Sequence, residues 1–268
     1  MQQETPTNEQ TEGMRGKVAI VTGATAGLGR AVALKLGRQG ARVVATGRNA
    51  AAGAQLVSEI EGAGGRAIFL PCDVEDAAQT RAMVASAVAQ FGGVDILVAS
   101  AGAPPAVQGI FAEIDPGEAA EQIAKTVRIK LNPTHAVVPY MLERRSGAIL
   151  FITSEGGRFP TPGQTTVAFH SAGLIMAAKV MAKELSRSLI RVNVLGVTLV
   201  EDTPVYERFA GGELTPIRQK VFDRISSQAP FGLARPENVA DVAAFLVSDA
   251  ASHITGATLS ATGGATYS

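Results

Sequence analysis

The stretch Lys17 to Leu34, "KVAIVTGATAGLGRAVAL", changes character at Thr22. Up to that point it is a short, nearly continuous run of Val, Ile and Ala ending in glycine, the pattern of a strand covered on both faces. Beyond the turn, "GLGRAVALKLGRQG" carries Ala and Leu at helical spacing, with Gly40 placed to end the helix. Gly23, Gly27 and Gly29 therefore fall in the turn between a strand and a helix. Glycines there permit a tight turn and let the backbone approach a pyrophosphate, with N–H groups aimed at it from a helix N-terminus. A glycine triplet alone is weak; in a strand–turn–helix setting it reads as a dinucleotide loop.

The alternation then repeats. "RVVAT", "AIFLPCDV", "DILVASAG", "GAILFITS", "IRVNVLGV" and "GATLSAT" read as strands. Between them lie helical segments at 49–64 and 76–93, a long helix from Gln164 to Leu189, and a last one in "PENVADVAAFLVSDA". Strands alternating with helices require right-handed crossovers and a parallel sheet. The expected fold is α/β: a single doubly wound, Rossmann-type parallel sheet with helices on both faces. One domain spans 14–268, and the polar segment 1–13 reads as a disordered tail without an apolar leader.

Composition narrows the partners. The 268 residues carry 24 Lys plus Arg against 24 Asp plus Glu, which argues against a nucleic-acid binder. Cys72 is the lone cysteine, so a disulfide framework is excluded and a reducing, cytoplasmic setting fits. No uninterrupted apolar run reaches the ~20 residues that span a bilayer, so no membrane partner is expected. His135, His170 and His253 show no metal-ligand spacing, and no metal is expected.

The end of the second strand reads Thr46-Gly47-Arg48-Asn49. An NAD site normally offers an acid there to the ribose hydroxyls. Here no acid competes, and Arg48 could pair with a 2′-phosphate through charge-assisted hydrogen bonds. NADP is the expected cofactor, with NAD the alternative.

"TGATAGLG", "CDV" at 72–74, "LVASAG" at 97–102, "GAILFITS", "IRVN", "EDTP", "PFGLARPENVA" and "FLVSDAASHITG" together resemble the short-chain dehydrogenase/reductase family, over about residues 14–268. The resemblance implies cofactor contacts at Gly23, Thr25, Gly27, Leu28 and Gly29 in the loop, and at Arg48. It further implies contacts from Asp73 and Val74 near the adenine, from Gly102 near the ribose, and from Thr203 to the nicotinamide carboxamide. Loop capping is the other reading of Asp73. The family also needs a Tyr acid, a Lys one helical turn later that lowers its pKa, and a Ser that orients the substrate oxygen. Ser154 matches the serine. The tyrosine position falls on Val167 and the lysine position on Ser171, with Pro162-Gly163 keeping register. A supporting Asn maps to Thr126 by one count, or to Lys130 or Asn132 by another. The family's "NNAG" reads Ala99-Ser100-Ala101-Gly102, and its usual Pro-Gly after the sixth strand reads Val197-Thr198. The adenosine end is kept and the nicotinamide end is rewritten.

Other groups could handle protons. At about 100° per residue, His170 lies about 60° from Val167 and 100° from Ser171, beside the vacated face rather than on it. Glu155 and Arg158 border the expected substrate cleft, as an acid/base group, a surface ion pair or a loop anchor. His135 could be a core or a pocket residue. A lid is expected over about 201–229, where Tyr206, Phe209 and Phe222 suit a partly apolar small-molecule substrate. The leading reading is an NADP(H)-dependent oxidoreductase of a carbonyl or alcohol. The alternatives are a non-redox hydratase, lyase, cyclase or isomerase on this scaffold, or a catalytically silent subunit paired with an active relative. The resemblance implies a homo-oligomer, dimer or tetramer, with a hetero-oligomer the variant for the silent subunit.

Overall fold

The computed structural model describes residues 14–102, 107–210 and 216–267; the expected tail at 1–13 lies outside the described residues. The strands are β1 (Val18–Thr22), β2 (Arg42–Gly47), β3 (Arg66–Pro71), β4 (Ile96–Ala99), β5 (Gly147–Ser154), β6 (Ile190–Val197) and β7 (Thr258–Ala261). They form one sheet in the order β3-β2-β1-β4-β5-β6-β7, every pairing parallel. The helices are α1 (Gly27–Arg38), α2 (Ala50–Gly62), α3 (Ala77–Phe91), α4 (Pro116–Arg144), α5 (Thr165–Leu185), α6 (Pro204–Ala210), α7 (Pro216–Ser227) and α8 (Pro236–Val247).

The two-residue period of a strand explains the layers. Val18 and Ile20 of β1 join a core with Met83 and Val84 of α3, Val137 of α4 and Ala178 of α5. Ala19 and Val21 face the other way, onto Leu36 of α1, Leu56 of α2 and Val239 of α8. Both faces are therefore buried, which is why the strand sequences are continuously apolar. Each large side chain so buried contributes roughly 1.5–3 kcal/mol. Local signals set the helix starts. Asp76 accepts from the backbone N–H groups of Ala78 and Gln79 at the head of α3, and Asp115 accepts from Glu118 N at the head of α4.

Two segments depart from what local sequence signals indicate. Helix α4 runs unbroken for 29 residues although Pro133 and Pro139 lie inside it. Each proline removes one helical hydrogen bond, but the apolar face through Ile129, Val137 and Met141 holds the segment on the sheet. The long helix after β5 is α5 plus a separate turn at Ser186–Ser188, ending on Leu189 in the left-handed region. By length and composition Thr165–Ser188 could cross a bilayer, but it packs on α4, β5 and β6 as a core helix does.

The chain reverses direction across the sheet at β1, which has β2 on one side and β4 on the other. In open α/β sheets a ligand crevice lies outside the strand C-termini at such a point.

Candidate active site

A cleft of about 1310 Å³ lies at that point, with Gly23, Gly27, Ser100, Ser154 and Thr203 on its wall. The loop after β1 is built from backbone packed on backbone. A Cβ on Gly29 would lie 2.3 Å from the carbonyl oxygen of Gly23, and one on Gly23 would lie 2.7 Å from Cα of Ala101. Gly23 also has φ of 66°, in the left-handed region. Thr22 Oγ1 accepts from Ala101 N at 3.2 Å, fastening the ends of β1 and β4 together. The residue preceding α1 is Ala26, which has no side chain to accept the first N–H groups of the helix. Those groups border the cleft, at the positive end of the helix dipole, where a pyrophosphate fits.

The other expected cofactor residues divide. Leu28, Gly29, Arg48 and Gly102 line the cleft. Arg48 is exposed there and makes no ion pair among the described residues, while Asn49 beside it caps α2 by accepting from Ala52 N. Thr25 packs behind the loop against Gly47, and Val74 is buried. Asp73 Oδ1 accepts from Glu75 N at 3.1 Å, so the carboxylate does cap its loop, and it does not border the cleft. Thr203 lines the cleft, but its hydroxyl donates to Val200 O and accepts from Tyr206 N, heading α6.

At the end of β5, Ser154 Oγ accepts from Gly156 N at 3.1 Å, leaving its O–H to donate. A Cβ on Gly156 would lie 3.3 Å from Ser154 Oγ, 3.4 Å from Val167 Cγ1 and 3.2 Å from Gln164 Oε1. Those three side chains therefore converge on one point of the wall, and the group at 167 is a hydrocarbon. Behind it, Ser171 is fully buried; Thr153 Oγ1 donates to its hydroxyl at 3.1 Å, and His170 Nδ1 lies 3.2 Å from it.

The three candidates on α4 have separate destinations, none on the cleft wall. Thr126 donates to Gln122 O within its own helix. Asn132 donates to the carbonyls of Val74 and Glu75, holding the loop after β3. Lys130 is buried, and its Nζ donates to Ala99 O at 2.7 Å and Ile152 O at 3.1 Å. These carbonyls lie where β4 ends, at the Ala99–Phe151 pair, and β5 runs on. Burial pushes the Lys130 amine down to about 7. His170 is pushed down to about 4, by burial first and then by the Lys130 charge, so it stays neutral at physiological pH.

The Lys130 shift has a measurable consequence. Folded, the amine gives up its proton near 7; unfolded, it keeps it to about 10.5. In that window the unfolded chain binds more protons, so the contribution of Lys130 to stability rises with pH. Against Lys130→Met, the wild type should gain roughly 1 kcal/mol per pH unit between about pH 7.5 and 9.5. Urea melts at several pH values read this directly, and parallel profiles for the two chains would refute it.

The comparisons with known proteins agree with this geometry. The family model described as "Enoyl-(Acyl carrier protein) reductase" matches residues 23–266. The chain is 33% identical over 252 residues to the 3-oxoacyl-(acyl-carrier-protein) reductase FabG of Thermotoga maritima, covering 94% of this chain and 98% of that one. The chain belongs to the short-chain dehydrogenase/reductase family. It is 34% identical over 253 residues to the 4-formylbenzenesulfonate dehydrogenase TsaC1/TsaC2 of Comamonas testosteroni, covering 92% of this chain and 97% of that one. Among solved structures, a 7α-hydroxysteroid dehydrogenase complexed with NADH and 7-oxo glycochenodeoxycholic acid superposes with a TM-score of 0.86 at 29% identity. It covers 96% of this chain and 97% of that one.

Within this short-chain dehydrogenase/reductase site, Glu155 borders the cleft but is engaged in an ion pair, and the remaining histidines lie off the wall. Glu155 is buried, and both its oxygens accept from Arg158 Nη2, at 2.7 and 2.9 Å. Arg158 Nη2 also donates to Ser260 Oγ on β7, and Ser260 Oγ donates to Glu155 Oε1. The pair is thus a buried anchor joining the end of β5 to β7. Gly196 of β6 makes room for it, since a Cβ there would lie 1.8 Å from Glu155 Oε1. His135 and His253 are exposed and off the cleft wall. No cluster that could hold a metal occurs among the described residues. The acid/base groups that a hydratase or isomerase reading relied on are therefore occupied or remote.

Several wall residues carry no local signal in the sequence. Gln164 reads there only as a helix start, and Tyr267 near the C-terminus belongs to no motif, yet both line the cleft. Helices α6 and α7 contribute Arg208, Lys220, Phe222 and Arg224 to the wall, and the Tyr206 and Phe222 rings pack tilted to each other with centroids 6.1 Å apart. The spacing of Lys220 and Arg224, four apart on one helix, was the available signal. The segment 211–215 and the side chain of Phe209 lie outside what the structure describes.

Proposed function

We propose that this protein is an NADP(H)-dependent oxidoreductase acting on a carbonyl or alcohol, with Val167 and Ser171 standing where the family's Tyr and Lys would be. The observation that carries this reading is the glycine loop, whose backbone leaves no room for a Cβ and whose helix presents uncapped N–H groups to the cleft. A dinucleotide fits that cradle, held by the loop and by Arg48; when bound, its nicotinamide supplies the hydride chemistry. Among the relatives is YwfH, an NADPH-dependent reductase involved in bacilysin biosynthesis, at 26% identity and a TM-score of 0.85.

The chain's own contribution is positional. Ser154 donates its free O–H to the substrate oxygen, and Val167 and Gln164 complete that point of the wall. Val167 has no proton to give, so the proton reaches the substrate oxygen from water admitted through the open cleft. Positioning alone sustains slow turnover. The protein acts in the cytoplasm and associates with itself through the outer faces of α4 and α5. There Phe169, Met176 and Val180 are 64%, 60% and 49% exposed along one side of α5. Met176→Asp is expected to shift the sedimentation coefficient toward that of a single chain, whereas unchanged sedimentation would refute association through α5.

Calorimetric titration with NADPH and with NADH tests the cofactor assignment. Arg48→Ala should weaken NADPH about tenfold and leave NADH unchanged, the loss of one charge-assisted contact. Binding of neither dinucleotide would sink the oxidoreductase reading and leave the silent subunit in its place.

A further inference from the structure

The chain is neutral overall, yet the charge on its cleft wall is not balanced. Among the described residues, Arg48, Arg208, Lys220 and Arg224 line it, against the carboxylate of Glu155. That carboxylate is already neutralised by Arg158 in the buried anchor. Arg48 lies at the adenosine end, where the 2′-phosphate accounts for it. The pyrophosphate has the α1 N-terminus. Arg208 of α6 and Lys220 and Arg224 of α7 are left over. Each is exposed, and none makes an ion pair among the described residues. The side chains sharing the wall with them are largely apolar, among them Phe159, Val167, Val205 and Phe222.

We infer that the lid selects an amphipathic acid: a carbonyl or alcohol substrate with an apolar body and an anionic group, carboxylate, sulfonate or phosphate, received by Arg208, Lys220 and Arg224. This rests on the oxidoreductase reading for the chemistry and on the wall charges for the selectivity. Unpaired cations on a largely apolar wall favour an anion through charge-assisted hydrogen bonds, which are stronger than neutral ones. They also discriminate against an uncharged analogue, which would leave them partly desolvated without a partner. The same cations could instead serve the dinucleotide's pyrophosphate, and the experiment separates the two sources.

The probes are 4-formylbenzoate and its methyl ester, which share the aldehyde and ring and differ in charge. Each is titrated calorimetrically into wild-type protein saturated with NADP+, where no reduction occurs. The same is done with the variant Arg208→Gln/Lys220→Gln/Arg224→Gln, and with Arg66→Gln, an exposed cation on the far edge strand, as the control. The wild type and the control should prefer the acid over the ester by about tenfold or more, and the triple variant should lose that preference. Affinity for NADPH should change less than about threefold in the triple variant, since the loop and Arg48 are untouched. Equal binding of acid and ester to the wild type, or binding of neither, overturns the inference. So does a triple variant that keeps the preference for acid while losing NADPH, which assigns the cations to the pyrophosphate. A preference for acid with no turnover under NADPH supports the lid assignment and removes the oxidoreductase reading, so the two fail separately.

Discussion

A chain carrying Val167→Tyr, Ser171→Lys and Lys130→Met together is expected to reduce a ketone with NADPH at least about a hundredfold faster than the parent, the scale of a restored general acid. Val167 lies on the cleft wall beside Ser154, where, on the proposed function, a phenol would reach the substrate oxygen that Ser154 orients. Tyrosine alone would lack the cation that lowers its pKa. Lysine at 171 would supply one, but Ser171 is fully buried and the Lys130 charge already reaches this region, as the depressed His170 shows. Two buried cations without a counter-ion disfavour each other's charged forms and the fold. The Tyr/Lys double variant is therefore expected to melt lower than the parent and gain little activity. Adding Lys130→Met frees the Ala99 and Ile152 carbonyls that Lys130 holds and should recover both properties. Steady-state kinetics and thermal melts across the single, double and triple variants test the order of effects. A triple variant that folds, binds NADPH and turns over no faster would show that the missing pair is not what limits the parent.

The second large effect is on stability. Glu155→Ala should cost about 3–5 kcal/mol, because it leaves the partly buried Arg158 guanidinium without its carboxylate. Arg158 and Glu155 are 21% and 2% exposed, whereas in the Arg30–Glu59 pair both partners are about a third exposed. Removing that surface pair should cost under about 1 kcal/mol. Glu155→Ala/Arg158→Ala should cost less than the two single substitutions added together, since no unpaired charge then remains. Urea unfolding of the four chains measures the coupling. A Glu155→Ala chain as stable as the wild type would mean the anchor carries no strength.

Much of the fold was legible because burial on both faces of the sheet forces long apolar strands, and the glycines of 23–29 sit where one strand meets its helix. The full span of α4 was not legible, since Pro133 and Pro139 are local stop signals overridden by packing on the sheet. In the site, the family resemblance matched Ser154 and Val167 to the serine and tyrosine positions, and in the structure both line the cleft. The pairing of Glu155 with Arg158, three residues on, was legible as an ion pair or loop anchor, but its burial and its further partner Ser260, over a hundred residues away, were not. The same holds for Lys130, whose acceptors, Ala99 and Ile152, come together only once β4 and β5 pair. Local pattern finds elements and nearest-neighbour chemistry; it does not find contacts that only the sheet creates.

The uneven placement of charge also bears on how fast ligands arrive. A protein with no net charge exerts little long-range pull, but among the described residues Arg48, Arg208, Lys220 and Arg224 outnumber the carboxylate of Glu155 at one opening and give it a directed field. Anions diffusing nearby are drawn toward that opening and turned before contact, so encounters there become more frequent than chance collision allows. Dissolved salt shortens the reach of that field to roughly 8 Å at physiological ionic strength. On the proposed function, capture of an anionic cofactor or substrate at this opening is expected to weaken as ionic strength rises, although the chain as a whole carries no net charge.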